Sequence, residues 1–248
     1  MEPMKNKKII IAGPCSISSK KELDNTFINI YDKVDFFRCG IWKARTNINH
    51  FEGIGEKGLV WLSMLKKKYK TPIAIEVGTP LHVEKALKHN INIFWIGART
   101  TVNPFYVQEI CECVKGQEVE IWIKNPIYPD KNLWIGAIER FKNSGVKEIK
   151  AIHRGYFSIY EKNYRNKPYW KITNDVRKLF PDIKFICDPS HICGSKKLLY
   201  SISKKAISRS FDGLMIETHS SPKKALSDAK QQVNCKEFKE LINKLNIY

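Results

Sequence analysis

The sequence predicts an α/β chain folded as a single closed (β/α)8 barrel, the TIM-barrel architecture, across residues 1–248. Three observations predict it. Short, continuous, β-branched apolar runs recur eight times, as expected of strands buried on both faces of a parallel sheet. Stretches with helical periodicity fill every gap between these runs. The spacing is also regular: from Ile9 to Gly213 the runs recur about every 29 residues, the length of one βα unit. An open doubly wound sheet is the rival arrangement, but eight strand–helix pairs in 248 residues favour closure.

KKIIIAG from residue 7 supplies the first strand and DFFRCGIW from 35 the second, with KELDNTFINIYDKV as the helix between them. GLVWLSMLKKKY leads to the third strand, TPIAIEVG from 71, and LHVEKALKHN to the fourth, NIFWIGA from 92. PFYVQEICECV precedes EIWIKN from 120, and LWIGAIERFKNSG precedes KEIKAIHR from 147. NDVRKLF leads to IKFICDPS from 183, KKLLYSISKKAISRS to DGLMIETH from 212, and CKEFKELINKL closes the series as an eighth helix. The longest irregular stretch, GYFSIYEKNYRNKPYWKIT at 155–173, is a candidate functional loop after the sixth strand.

Composition narrows the function classes. With 43% hydrophobic residues the chain is not a disordered one. No apolar run approaches the ~20 residues of a membrane span, and MEPMKNKKII lacks the apolar segment of a signal peptide. The expectation is a soluble, cytoplasmic protein without a membrane partner. The net charge of +18 invites a polyanion as partner. The basic residues, however, are spread along a chain that is also rich in Asn, Ile and Tyr, so no nucleic-acid partner is expected. Trp42, Trp95, Trp122 and Trp134 lie in or beside apolar runs, where a core role suits them better than stacking on bases. The seven cysteines are irregularly spaced and form no CxxC, which points to reduced thiols rather than a disulfide framework or a zinc knuckle.

A barrel carries its chemistry at the C-terminal mouth, so the residues ending each strand test for an active site. The first strand delivers Cys15; the second delivers Arg38, followed by Lys43, Arg45 and Thr46. The next four end at Glu76, Arg99, Lys124 and Arg154. The seventh delivers Asp188 and His191, and the eighth Glu217 and His219. Arg38, Lys43, Arg99, Lys124 and Arg154 are five cations converging on one opening, with Arg45 in reserve. So many like charges require anions, and more than one phosphate or carboxylate. Cys15, His191, Glu217 and Asp228 could surround a divalent cation. Their mixed soft and hard donors leave Mn²⁺, Fe²⁺, Co²⁺ and Zn²⁺ all open.

The segments IAGPCS (11–16), FRCGIWKARTN (37–47), IGAR (96–99), IKN (123–125), HRG (153–155), DPSH (188–191) and GLMIETHSSPKKALSD (213–228) occur in that order, each at a strand end. In these the chain resembles the metal-dependent type I 3-deoxy-D-arabino-heptulosonate 7-phosphate (DAHP) synthases. Those enzymes share fold and mechanism with the 3-deoxy-D-manno-octulosonate 8-phosphate synthases. The resemblance implies a metal held by Cys15, His191, Glu217 and Asp228. It implies phosphoenolpyruvate on Arg38, Lys43, Arg99, Lys124 and Arg154, and the aldose phosphate group on Arg45 and Thr46. The implied reaction condenses phosphoenolpyruvate with erythrose 4-phosphate, the first step of the shikimate pathway to chorismate and the aromatic amino acids. The metal, with Cys15 and His191 among its ligands, would polarise the aldehyde. Lys43 would transfer a proton or stabilise the developing alkoxide.

The second-strand motif departs from the family's usual KPRT by carrying Ala44. The octulosonate synthases typically have KANRS there and lack GAR, so Lys43-Ala44-Arg45-Thr46 and Gly97-Ala98-Arg99 favour the four-carbon sugar over arabinose 5-phosphate. The barrel fills the sequence from residue 9 to residue 247, leaving no room for a regulatory or chorismate mutase domain. The expectation is therefore an enzyme not inhibited by Phe, Tyr or Trp alone, with any feedback coming from a separate partner such as a chorismate mutase. Relatives form dimers and tetramers, which implies a homo-oligomer. A basic nucleic-acid-binding barrel and a degenerate structural subunit are the non-enzymatic alternatives.

Overall fold

The computed structural model describes residues 7–247. Eight strands close into one barrel in sequence order, every neighbour parallel and β1 returning to β8. They are β1 (Ile9–Gly13), β2 (Phe36–Cys39), β3 (Ile73–Val77), β4 (Ile93–Ile96), β5 (Glu120–Lys124), β6 (Glu148–His153), β7 (Lys184–Cys187) and β8 (Gly213–Glu217). The closed arrangement, not the open sheet, is the observed one.

Among the described residues ten α-helices lie between and after the strands: α1 (Lys20–Ile30), α2 (Glu56–Tyr69), α3 (Pro80–Lys88), α4 (Ala98–Thr101), α5 (Pro104–Val114), α6 (Lys131–Asn143), α7 (Trp170–Leu179), α8 (Pro189–Cys193), α9 (Leu199–Ser208) and α10 (Cys235–Leu245). Several begin where a short polar side chain takes up a free backbone N–H. Ser19, Thr79, Asn103 and Asp130 do this for α1, α3, α5 and α6, and Asn234 with Glu237 forms a capping box on α10. The expected helix over residues 21–34 ends earlier, at Ile30, and passes into a 3-10 turn at Tyr31–Lys33. The helix α7 starts at Trp170, so the last residues of the 155–173 stretch are helical. The remainder is closed at its base by a pair of backbone hydrogen bonds between Tyr156 and Lys167.

Strand side chains alternate between two environments. One face packs under the helices with Leu23, Phe27, Leu62, Ile110, Phe141 and Phe238. The other fills the barrel with Ile11, Ala74, Trp95, Trp122, Ile152, Ile186 and Met215. Trp95, Trp122 and Trp134 are fully buried, while Trp42 is half-buried and stacks on His82 with centroids 4.1 Å apart. The seven cysteines are all free thiols. Among the described residues no helix is long and apolar enough to cross a membrane.

Candidate active site

On six of the eight strands the inward face turns from apolar to charged one step before the mouth; on β1 and β4 that position is Gly13 and Gly97. Arg38, Glu76, Lys124, Arg154, Asp188 and Glu217 each stand two residues beyond a barrel-filling side chain: Phe36, Ala74, Trp122, Ile152, Ile186 and Met215. A period of two keeps them on the same face, so charge forms the lid of an apolar column. Above it opens a cavity of about 350 Å³ whose walls include Lys43, Arg45, Arg99, Lys124, Arg154 and His191.

At one side of this cavity three metal-ligand types converge. The ligand atoms of Cys15, Glu217 and Asp228 all lie within 4.8 Å of one another. His191 stands just outside that mutual spacing, its Nε2 3.7 Å from Glu217 Oε1. The Cys15 thiol donates to Asp228 Oδ2 at 3.1 Å, and burial together with Glu217 pushes its pKa up to about 12. Burial holds His191 below the ordinary histidine value, which leaves the ring neutral and its lone pair available at neutral pH. The α8 helix presents that ring: Asp188 caps it by accepting from the His191 backbone N–H at 3.1 Å, and its other oxygen lies 2.8 Å from His191 Nδ1. Asp228 adopts φ = 49°, a left-handed conformation that Asp tolerates better than most residues other than glycine.

The donor set fits a divalent cation. Glu217 Oε1 is buried and receives no hydrogen bond, although it faces the cluster. A thiol, two carboxylates and an imidazole gathered in this way would each gain a partner, and the thiol its proton-free form, from a bound cation.

The cations occupy distinct depths. Arg38 is fully buried below the cavity, its Cζ 4.6 Å from the Trp95 ring centroid and NH1 3.2 Å from Glu217 Oε1. Lys124 pairs with Asp188 at 3.0 Å, and Lys124, Arg38 and His191 help hold that carboxyl well below its usual range against the effect of burial. Burial lowers Arg154 to about 10, so it remains a cation at neutral pH. Lys43 approaches Glu76 Oε2 at 3.4 Å. Burial opposes the Lys43 charge, but Cys15 and Glu76 outweigh it and raise its pKa above the ordinary lysine value. Arg99 is exposed at the wall, while Arg45 is tied to its own loop through a 3.0 Å bond from Nε to the Phe51 carbonyl. Thr46 is exposed on the β2–α2 loop and does not line the cavity. His219 is turned away to pair with Glu22 on α1.

Glu76 ends β3 in the sequence reading, yet it carries no role there; the structure makes it the partner of Lys43. Arg165, Asn166, Gln231 and Gln232 carry no signal in the sequence reading at all. Gln232 accepts from the Cys15 backbone N–H at 3.0 Å. The Glu76 carboxylate also explains Gly97, because a Cβ there would lie 2.2 Å from Glu76 Oε1. Gly97→Ala is expected to push Glu76 off Lys43, lowering stability by about 1 kcal/mol or more and weakening substrate use. A variant with wild-type melting and wild-type steady-state constants would show that Glu76 simply swings clear.

The model described as the DAHP synthetase I family matches residues 4–247. The chain is 31% identical over 237 residues to phospho-2-dehydro-3-deoxyheptonate aldolase of Thermotoga maritima, an alignment covering 95% of this chain and 68% of the relative. It is 25% identical over 272 residues to 2-dehydro-3-deoxyphosphooctonate aldolase of Desulfotalea psychrophila, covering 96% and 88%. The crystal structure of the Thermotoga maritima DAHP synthase superposes with a TM-score of 0.86 at 29% identity, covering 97% of this chain and 68% of that one. A truncated form of the same synthase gives 0.83 at 28% identity, covering 97% and 86%.

Proposed function

This chain belongs to the DAHP synthetase I family, and from that premise we propose how its mouth condenses phosphoenolpyruvate with erythrose 4-phosphate, a carbon–carbon bond-forming transferase step of aromatic amino acid biosynthesis. The observation that carries the reading is one cavity in which a wall of guanidinium and ammonium groups meets the Cys15–Glu217–Asp228 cluster. Two phosphorylated substrates need the former, and an aldehyde acceptor needs the latter.

Arg99, Lys124 and Arg154 offer charge-assisted donors for the phosphate and carboxylate of phosphoenolpyruvate. Arg38 contributes from below by setting charge against Glu217. Arg45 lines the neighbouring wall, where the acceptor's phosphate would lie; Thr46, the next residue of that loop, would have to turn inward to join it. Cys15, His191, Glu217 and Asp228 would hold the divalent ion, Mn²⁺, Fe²⁺, Co²⁺ or Zn²⁺. When bound, that ion supplies Lewis acidity toward the acceptor aldehyde.

C3 of phosphoenolpyruvate then bonds to the aldehyde carbon, and the aldehyde oxygen gains negative charge. Positive character grows at C2; water adds there with loss of a proton, the alkoxide takes up a proton in balance, and inorganic phosphate departs with cleavage of its C–O bond, giving 3-deoxy-D-arabino-heptulosonate 7-phosphate. Lys43 sits between Glu76 and the cavity as a persistent cation. That state suits it to stabilise the developing alkoxide, and suits it poorly to give up a proton. Glu76 aims its ammonium group.

Lys43-Ala44-Arg45-Thr46 and Gly97-Ala98-Arg99 favour the four-carbon acceptor. Phosphate release with phosphoenolpyruvate and either erythrose 4-phosphate or arabinose 5-phosphate checks this. Erythrose 4-phosphate is expected to have the higher kcat/KM by at least tenfold, the discrimination available from about 1.4 kcal/mol of differential contact. Faster use of arabinose 5-phosphate would reassign the chain to octulosonate synthesis.

A further inference from the structure

The long loop after β6 brings two adjacent side chains into the mouth, and the mechanism above uses neither. Arg165 donates through NH1 to Asp228 Oδ1 at 2.8 Å and to Gln231 Oε1 at 2.7 Å. Gln231 in turn donates through Nε2 to Glu217 Oε2 at 2.7 Å. The two carboxylates of the cluster are thus joined through one guanidinium and one amide.

The joining is selective by oxygen. Asp228 gives Oδ1 to Arg165 and keeps Oδ2 toward the Cys15 thiol. Glu217 gives Oε2 to Gln231 and keeps Oε1 toward His191 Nε2 and Arg38, without a hydrogen bond. Each carboxylate therefore has an outer oxygen held by a donor and an inner oxygen turned into the cluster. The next residue extends the tie. Asn166 donates through Nδ2 to the His191 carbonyl at 2.6 Å, and its Oδ1 accepts from Arg154 NH1 at 2.8 Å. Room for the Arg165 side chain comes from Gly194, which has φ = +66° and where a Cβ would lie 2.5 Å from Arg165 Cβ.

We propose that Arg165 and Gln231 form a bracket that presents Asp228 and Glu217 to a divalent cation as one-oxygen ligands, so that the loop after β6 is part of the cation's seat. The inference rests on the metal-dependent reading above. A donor on the outer oxygen fixes the plane of a carboxylate and prevents it from swinging to chelate through both oxygens, which is how partners beyond the ligands set metal affinity and geometry. Both are positioning residues; neither need touch substrate.

The test compares wild type, Arg165→Met, Arg165→Lys and Gln231→Leu as full-length chains, each stripped of metal and then titrated with Mn²⁺ and Co²⁺. The wild type is expected to bind both ions, and Arg165→Met about 10–100-fold more weakly. Arg165→Lys should recover part of the loss, and the Co²⁺ absorption spectrum should shift in Arg165→Met as the ligand geometry relaxes. At saturating metal, the KM for phosphoenolpyruvate should stay near wild type. Gln231→Leu should show the same weakening, which guards against a folding defect particular to one substitution. Unchanged Mn²⁺ and Co²⁺ affinity in both variants, or a raised phosphoenolpyruvate KM with unchanged metal affinity, overturns the bracket and leaves the metal reading standing. A wild type that binds neither ion overturns both.

Discussion

Replacing Cys15 by Ser is expected to reduce turnover by roughly a hundredfold or more while leaving the barrel folded. The thiol is fully buried, and its hydrogen bond to Asp228 is one that a hydroxyl can also make, so little stability is at stake. The proposed chemistry is another matter. A thiolate is the soft donor of the set, and a serine hydroxyl at the same place neither ionises comparably nor reaches as far. Lewis-acid stabilisation of several kcal/mol is at risk, and each 1.4 kcal/mol is a factor of ten in rate. Exhaustive chelation of the wild type is expected to produce a similar loss, with activity restored by added Mn²⁺. Stopped assays of phosphate release on the stripped, reloaded and substituted proteins check both outcomes. Full activity after chelation would remove the metal from the mechanism.

Glu217→Gln is expected to be the most damaging change to stability in the mouth. Glu217 and Arg38 are buried to 0% and 1% side-chain exposure, with 3.2 Å between Oε1 and NH1. Arg38 Nε and NH1 have no hydrogen-bond acceptor of their own. Neutralising the carboxylate therefore leaves that guanidinium without its direct ion-pair partner, with the Trp95 face, the Cys15 carbonyl and the more distant Asp188 and Glu76 charges to receive it. Removing one partner of a buried pair commonly costs about 3–5 kcal/mol. Chemical denaturation should report a loss of that size. The double variant Arg38→Met/Glu217→Gln should recover much of it, because no charge is then left unpaired. Equal stability of Glu217→Gln and wild type would mean that water, not Glu217, carries the Arg38 charge.

Much of this site is legible in the amino-acid sequence. Arg38, Lys124, Asp188 and Glu217 could be picked out because each ends or follows a short apolar run, and strand geometry decides which way such a residue faces. Other features were not readable, for physical reasons. The α4 and α8 helices, four and five residues long, are too short for a 3.6-residue period to register, yet they carry Arg99 and His191. The α7 helix starts four residues before the stretch whose pattern announced it. Arg165, Asn166, Gln231 and Gln232 belong to loops, where no periodicity orients a side chain. Thr46, named by motif alone, lies outside the cavity lining.

The amino-acid order alone determined the eight-fold alternation of strand and helix and the kinds of charge reaching the strand ends, since both follow from periods of two to four residues; closure through β1 and β8 is a tertiary pairing. Which carboxylate oxygen faces a cation, and which is held away from it, was decided only by the fold. Cys15 and Asp228 are 213 positions apart, Arg165 and Asp228 63 apart. Contacts across such spans exist only once the last strand has paired with the first.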